Sequence, residues 1–391
     1  MSKKAKKIGL VLVGVSLLTF FACGGIKLSQ QGELEPDSRL MEGVDSSTVI
    51  LPDTTPKRLT LLFAGDLMQH QGQINAAKTD SGYSYKACFA HVKELISKAD
   101  IAIGNFEVTL GGQPYKGYPC FSAPDEYFYD ILDAGFDVML TANNHCLDKG
   151  KKGLERTIHI MDSLRVPQLG TYLDSTDRAN RYPLLVEKNG IKVALLNYTY
   201  GTNGINVTAP NVVNYIDTTI ISADIEKAKN MKPDLIIANM HWGVEYQTSP
   251  HPTAVSLSKW LFGKGVDHVI GGHPHVIQPI VVKTDSVTGN KQVLVYSLGN
   301  YISNMTAPNT EGGLMVTLSV EKRGNVVKTT DASFSKVFTA RPTVSGLKVH
   351  TLFPAEKVDS SLNLAQRARM QKWINDANAV MKHNVGIEEK Y

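Results

Sequence analysis

Leu59-Thr60-Leu61-Leu62-Phe63-Ala64-Gly65-Asp66 is an almost unbroken apolar run that ends on a glycine and a carboxylate. A short run of this kind, without polar alternation, reads as a strand buried on both faces. Similar runs recur at Ile101-Ala102-Ile103-Gly104, Phe136-Asp137-Val138-Met139-Leu140, Val193-Ala194-Leu195-Leu196, Leu235-Ile236-Ile237-Ala238, His268-Val269-Ile270 and Val293-Leu294-Val295-Tyr296. Between them apolar residues fall at helical spacing, as in Phe89, Val92, Leu95, Ile96 and again in Leu154, Ile158, Met161, Leu164. Strands interleaved with helices make the layout α/β.

Beyond Glu311 the pattern turns to alternation, in Leu314-Met315-Val316-Thr317-Leu318-Ser319-Val320 and Gly324-Asn325-Val326-Val327, which predicts antiparallel strands joined by a turn. Leu362 to Lys382 then carries Leu364, Ala368, Trp373, Ile374 and Ala377 in a helical pattern. Both extend one domain, residues 59–391, and no internal repeat interrupts it.

Upstream, Lys3, Lys4, Lys6 and Lys7 precede an uncharged apolar run from Ile8 to Ala22, the layout of a secretion signal. That run falls short of the roughly 20 residues a membrane-crossing helix needs, and Cys23 follows it at once. We read residues 1–22 as a lipoprotein signal peptide and Cys23 as the lipidation site, with an ordinary cleaved signal as the alternative. Residues 23–58, rich in Gln, Ser, Asp, Glu and Pro, read as a flexible tether. The protein is thus expected in the cell envelope, lipid-anchored on the periplasmic side or the cell surface.

The full chain has 41 basic and 37 acidic residues. Removing residues 1–22 takes away four lysines and no acid, which leaves 37 of each and a formally neutral chain. No broad basic field remains to collect phosphate backbones, so nucleic acid is excluded as the expected partner. With Cys23 acylated, Cys88, Cys120 and Cys146 are an odd set. They can supply one disulfide at most, with Cys88–Cys120 left open as a candidate.

The chemistry lies where the strands end. Asp66 follows the first run, Asn105 and Glu107 the second, and Asn143, Asn144 and His145 the third, while His241 follows the fifth and His273 and His275 the sixth. The carboxyl ends of strands in an α/β sheet converge on one crevice, so these distant residues can meet. Carboxylate, amide oxygen and imidazole together suit divalent Mn, Zn or Fe. In two-metal hydrolases a pair of ions about 3.5–4 Å apart activates water and clamps a phosphoryl oxygen. Glu107 is the candidate bridging carboxylate, and His145 is a candidate general acid that need not touch a metal. Asn143 and Asn144 also fit a turn and a helix cap.

Six ordered stretches carry a resemblance: Gly65-Asp66-Leu67-Met68, Asn105-Phe106-Glu107, Ala142-Asn143-Asn144-His145-Cys146-Leu147-Asp148, His241-Trp242-Gly243-Val244-Glu245-Tyr246, Gly272-His273-Pro274-His275-Val276-Ile277-Gln278 and Ser297-Leu298-Gly299-Asn300. Between about Leu59 and Tyr301 the chain resembles the CapA family, associated with poly-γ-glutamate capsule synthesis, which is similar in turn to calcineurin-like metallophosphoesterases. The resemblance implies a metallo-dependent phosphatase-like fold, a four-layer α/β/β/α sandwich. It implies Asp66 and His275 on a first ion, Glu107 bridging, and Asn144, His241 and His273 on a second. It places Glu245 and Tyr246 on the crevice, and Asn143 and Asn300 are added as candidate substrate contacts. One position departs from the pattern: calcineurin-like enzymes usually have His two residues after the first Asp, and here Met68 stands there. His70, two residues further on, could reach in as the missing ligand, but a lone His after a strand is more often a packing or surface residue, which is the expectation here.

Two functions remain in view. One is a metal-dependent hydrolase of phosphoester-type bonds, acting on an anionic envelope polymer or its lipid-linked precursor. The other is a module of a capsule-synthesis complex that binds the polymer without cutting it.

Overall fold

The structure is a computed structural model and describes residues 55–391. The residues read as signal peptide (1–22), as lipidation site (Cys23) and as tether, the last up to residue 54, lie outside the described residues. The first strand, Lys57–Leu67, opens two residues inside the stretch read as tether, because Lys57 and Arg58 already pair with Lys322 and Glu321.

That strand is the hinge of the architecture. On one side it pairs in parallel with Ile101–Phe106, which continues in parallel to Val138–Leu140 and Gln168–Leu169. On the other it pairs antiparallel with Gly312–Arg323, which pairs with Val326–Ala340, and that strand in turn pairs with Thr351–Pro354. Gly312–Arg323 and Val326–Ala340 are the alternating segments: buried and half-buried residues alternate from Val316 to Glu321, whereas residues 312–316 and 334–340 are buried throughout. A second sheet has a parallel centre, Ile191–Thr199, Leu235–His241, His268–Gly272 and Lys291–Val295, with antiparallel edges Leu184–Lys188 and Ile280–Thr284.

Side-chain alternation along Lys57–Leu67 explains how the layers stack. Leu59, Leu61 and Phe63 enter one core together with Val193, Leu195, Ile237 and Val269 of the second sheet. Leu62, Ala64 and Leu67 enter another with Phe89, Ile96, Tyr127, Phe128 and Ile131, which come from the short helices Lys86–Phe89 and Lys93–Ser97 and from Asp125–Asp133. Beyond the second sheet, Thr218–Asn230 contributes Ile221 and Ile225, and Pro252–Gly263 contributes Ala254 and Leu261. The order is helices, sheet, sheet, helices, the expected α/β/β/α sandwich. The near-continuous apolar runs are explained by it, since each central strand is covered on both faces.

Some details differ from the sequence reading. The helical spacing from Phe89 to Ile96 is split into two short helices, and at the break His91 stacks on Phe353 with ring centroids 4.2 Å apart. The three described cysteines are free thiols, so the Cys88–Cys120 pairing is not made. Cys88 faces the helical core, where burial pushes its thiol up to about 12. The C-terminal helix forms as Leu364–Met381, with Asn363 capping it by accepting from Gln366 N. Among the described residues no helix is long and apolar enough to cross a membrane.

His268 gives the fold a pH dependence of its own. Its Nδ1 accepts from Val293 N at 3.1 Å and its Nε2 lies 2.8 Å from Thr329 Oγ1, so the ring is held neutral. Burial lowers its pKa from 6.5 to about 3. A histidine depressed in the folded state contributes stability that is complete above pH 6.5 and lost as pH falls toward 3. Urea unfolding of the wild type is therefore expected to weaken steadily below pH 6.5. In His268→Gln the loss should be smaller by about 1.4 kcal/mol for each pH unit. Parallel profiles for the two proteins would remove His268 from the account.

Candidate metal centre

Both sheets deliver residues to one crevice, so the site is built from two sets of strand ends. From the first sheet, Asp66 stands near the end of Lys57–Leu67, at a point where the pairing register shifts on both sides. Such a shift re-aims a side chain. Gly65 allows the close backbone approach: a Cβ there would sit 1.9 Å from Gly299 O, while Asp66 N donates to that same oxygen at 3.0 Å. Asn105 and Glu107 close the neighbouring strand, and Asn143, Asn144 and His145 follow Val138–Leu140. From the second sheet, His241 ends Leu235–His241, and His273 and His275 follow His268–Gly272.

The peptide carrying the last two is strained. His273 has φ of 100° and His275 of 59°, in the region that L-residues avoid. Each costs about 1–3 kcal/mol, and the conformation persists because Tyr246 N donates to Pro274 O and Trp242 N to Gly272 O. Strain of this kind, held by surrounding hydrogen bonds, is what a site that needs two imidazoles aimed inward exhibits.

Asp66, Glu107, Asn144, His241, His273 and His275 all come together, and all are buried. His275 Nδ1 lies 3.2 Å from Asp66 Oδ2 and 3.1 Å from Asn300 Oδ1, which leaves its Nε2 facing Glu107 Oε1 at 3.8 Å. His241 Nε2 lies 2.7 Å from Asn144 Oδ1 and 3.7 Å from the same Glu107 oxygen. The ligand atoms of Glu107, His273 and His275 lie within 4.8 Å of one another, and so do those of Asp66, Glu107 and His241. Glu107 is common to both trios, while the contacts of His275 with Asp66 and of His241 with Asn144 follow the pairing the resemblance implies.

The electrostatics favour a cation. Burial first, and then the Asp66 carboxylate, push the Glu107 carboxyl well above its usual range. Burial and the neighbouring imidazoles hold His241 well below 6.5 and His273 at about 3, so both rings are neutral. Glu107 Oε1 and His273 Nδ1 have no hydrogen-bond partner among the described residues. A buried polar atom without a partner costs about 1–3 kcal/mol. Neutral imidazole lone pairs and an orphaned carboxylate oxygen facing one gap are relieved together by a positive charge, so this donor set fits divalent metal.

Asn105 ties the set together. Its Nδ2 lies 2.8 Å from Asp66 Oδ1, 3.2 Å from Glu107 Oε2 and 3.3 Å from His241 Nδ1, and its Oδ1 accepts from Asn143 Nδ2 at 3.2 Å. An outer residue that orients ligands typically contributes 10–100-fold to metal affinity. Asn105→Ala is therefore expected to weaken metal binding by that factor in a chelator-competition titration. Unchanged affinity would reduce Asn105 to a packing residue.

Two expected substrate contacts face inward instead. Asn143 is fully buried, its Nδ2 committed to Asn105 Oδ1 and Phe106 O and its Oδ1 to His145 N. Asn300 donates to Thr310 O at 3.0 Å and holds His275 through its Oδ1. Both position other side chains, and the asparagines expected at substrate are spent on the scaffold. Glu245 and Tyr246, by contrast, line a cavity of about 360 Å³ beside the centre, together with Tyr118, Asn144, His145, Asn203 and His275.

In that wall His145 Nδ1 lies 2.7 Å from Asp148 Oδ2, which also accepts from Phe121 N at 2.7 Å. With Nδ1 committed to a buried carboxylate, Nε2 is the nitrogen left for substrate. Asp148 ends one of the six ordered stretches but drew no role from the sequence, although its place three residues after His145 was the signal. Met68 is buried in the same wall, and His70 sits at its edge, where it caps the helix Gln71–Ala76 and burial lowers its pKa to about 4. Tyr200, whose ring lies 4.4 Å from His273, and Tyr118 carried no sequence signal at all.

The chain is 27% identical over 282 residues to the capsule biosynthesis protein CapA of Bacillus anthracis, a match covering 69% of this chain and 66% of that protein, just under two thirds. It is 25% identical over 332 residues to the PGA biosynthesis protein CapA of Bacillus subtilis (strain 168), covering 83% and 80% respectively. Among solved structures, that of the Haemophilus influenzae NAD nucleotidase (NadN) is similar with a TM-score of 0.44 and 13% identity, over 85% of this chain and 57% of that one. A phosphatase structure from Mycoplasma pneumoniae is similar with a TM-score of 0.43 and 15% identity, over 71% and 93%. The model of the family described as bacterial capsule synthesis protein PGA_cap matches residues 60–305, more than half of the chain and every residue of the centre, and the protein belongs to that family.

Proposed function

We propose that the protein is a metal-dependent hydrolase of phosphoester-type bonds that works on a cell-envelope polymer or its lipid-linked precursor. The observation that carries this reading is the partnerless Glu107 Oε1, faced by His241 and His275 Nε2 and flanked by the His145–Asp148 pair. Asp66, Glu107, Asn144, His241, His273 and His275 would hold two divalent ions. Bound there, such ions lower the pKa of water and polarise a phosphoryl oxygen. The chain's own residues do the rest. Asn105 and Asn300 keep the ligands oriented, the strained His273–His275 turn keeps two imidazoles aimed inward, and His145 holds a proton at Nε2 for the leaving oxygen.

The names of the Bacillus relatives support a place in capsule biosynthesis and hence association with the envelope. Anchoring through Cys23 is part of the proposal. A direct test is turnover of bis(p-nitrophenyl) phosphate and p-nitrophenyl phosphate by the metal-loaded full chain, with metal content measured by mass spectrometry. Close to two ions per chain with turnover is the expected result. Bound metal with no turnover on either ester would discard the hydrolase.

A second reading is favoured by Met68. Its uncharged thioether stands where a nitrogen ligand is usual, and a thioether is a poor donor to a hard ion such as Mn. On this reading the centre is incomplete and the protein binds or guides polymer without cutting it. The mark of this case is one ion or none per chain, with bound polymer recovered intact.

A further inference from the structure

The wall of the cavity of about 360 Å³ holds three imidazoles, His70, His145 and His275, and the metal centre and the His145–Asp148 pair account for two of them. His70 falls in neither ligand trio. Its Nδ1 accepts from Asn304 N at 3.3 Å, and its backbone N donates to Gln73 Oε1 at 2.7 Å. Burial lowers its pKa to about 4, so the ring is neutral and, with Nδ1 accepting, carries its one proton on Nε2. That N–H meets no acceptor among the described residues, yet it is not one of the buried polar atoms shut off from solvent. On a cavity wall, such a group is open to whatever the cavity receives.

Buried polar structure fixes this ring from behind. Arg341 and His350 are both buried. Arg341 Nη1 donates to Asn304 O at 3.5 Å and Nη2 to Met305 O, while His350 Nε2 lies 2.8 Å from Asn304 Oδ1. Glu311, whose charge Arg341 feels, is paired with Arg369 instead. A guanidinium buried against backbone carbonyls is costly, and what it holds in place is the residue whose N–H orients His70. Phe121, fully buried, supports the ring from the side: it lies edge-on to His70 at 5.2 Å between centroids and to His145 at 4.7 Å. One phenyl ring thus sets two imidazoles along the same cavity.

A phosphomonoester has three terminal oxygens, and a pair of ions can take two of them. The third carries charge, and a hydrogen bond to a charged oxygen is about twice as strong as one between neutral groups. In a diester the corresponding oxygen is esterified and uncharged. We infer that His70 is a substrate-binding residue whose Nε2–H donates to the third oxygen of a phosphomonoester, and that it biases the site toward monoesters over diesters. The inference rests on the hydrolase reading for the phosphoryl group and names its ester class.

His70→Asn isolates this role. Asparagine is a favoured N-cap and can accept from Asn304 N as Nδ1 does, but it has no donor that reaches as far as Nε2. His70→Gln extends an amide N–H to about that reach. The metal-loaded full chain and both variants are titrated calorimetrically with phenylphosphonate, a dianion with three terminal oxygens, and with its monomethyl ester, which has two. His70→Asn is expected to weaken phenylphosphonate binding by about 10–100-fold, the worth of a hydrogen bond to a charged group. It should leave the methyl ester nearly unchanged and keep the wild-type metal content by mass spectrometry, and His70→Gln should recover part of the loss. No binding of phenylphosphonate by the wild type, unchanged binding in His70→Asn, or equal weakening for both ligands overturns the role. So does loss of metal, which would make His70 the ligand missing at Met68. Turnover of p-nitrophenyl phosphate and bis(p-nitrophenyl) phosphate keeps the two readings apart. Phenylphosphonate selectivity that depends on His70, without turnover of either ester, keeps the donor and discards the hydrolase; monoester turnover that His70→Asn leaves unchanged does the reverse.

Discussion

Glu107→Gln is expected to abolish metal-dependent hydrolysis and, at the same time, to make the metal-free protein more stable. The carboxyl is fully buried, its Oε1 has no partner, and burial and Asp66 hold it well above the usual carboxylate range. An acid raised in the folded state contributes stability below its unfolded value near 4.5 and loses it as pH rises toward the folded value. Over that window the unfolded chain releases a proton that the folded chain keeps, which costs about 1.4 kcal/mol per pH unit. Glutamine has the same shape and no proton to release, so metal-free Glu107→Gln should gain on the order of 1–3 kcal/mol at neutral pH. Metal should then add little stability to the variant, whereas for the wild type it adds free energy that grows with ion concentration. Loss of the one residue shared by both ligand trios is expected to reduce turnover by roughly a thousandfold or more, about 4 kcal/mol of barrier. The measurements are denaturant midpoints with and without metal, and turnover on an aryl phosphate. A variant that is less stable without metal, or that keeps its turnover, contradicts the role given to Glu107.

His145→Ala is expected to act on the chemistry and leave the metals in place. A positioned proton donor contributes typically 10²–10⁴-fold, and the gain depends on how badly the leaving oxygen needs a proton. The variant should therefore lose about 10²–10⁴-fold in kcat on an alkyl phosphoester and far less on p-nitrophenyl phosphate, whose phenolate leaves unaided. Asp148→Asn should follow the same split with a smaller loss, because it disturbs the tautomer of His145 and keeps the ring. Metal content near the wild-type value in both variants is part of the prediction. Equal losses on the two esters would make His145 a binding or structural residue, and lost metal would make it a ligand.

The difference between what was legible and what was not can be seen residue by residue. The apolar runs announced central strands because a strand covered on both faces leaves polar residues only at its ends. Those ends then named Asp66, Glu107, Asn144, His241, His273 and His275, and the folded chain brings all six into one crevice. Asn143 and Asn300 carry the same chemistry in sequence but are consumed by hydrogen bonds to Asn105, Phe106, His145, His275 and Thr310. Asp148 was written three residues from His145, yet only its 2.7 Å contact separates a dyad from a turn.

The α/β layout, the six candidate donors and the family were thus legible in the sequence, since strand burial and ligand type are local properties of residues and their spacing. The tertiary structure decided the rest. It set two sheets face to face, made Glu107 the residue common to both candidate ligand trios, and left its oxygen without a partner among the described residues. These are relations between groups far apart in the chain, fixed only when strand ends from two sheets are packed within a few ångströms, where burial and low dielectric set their energies.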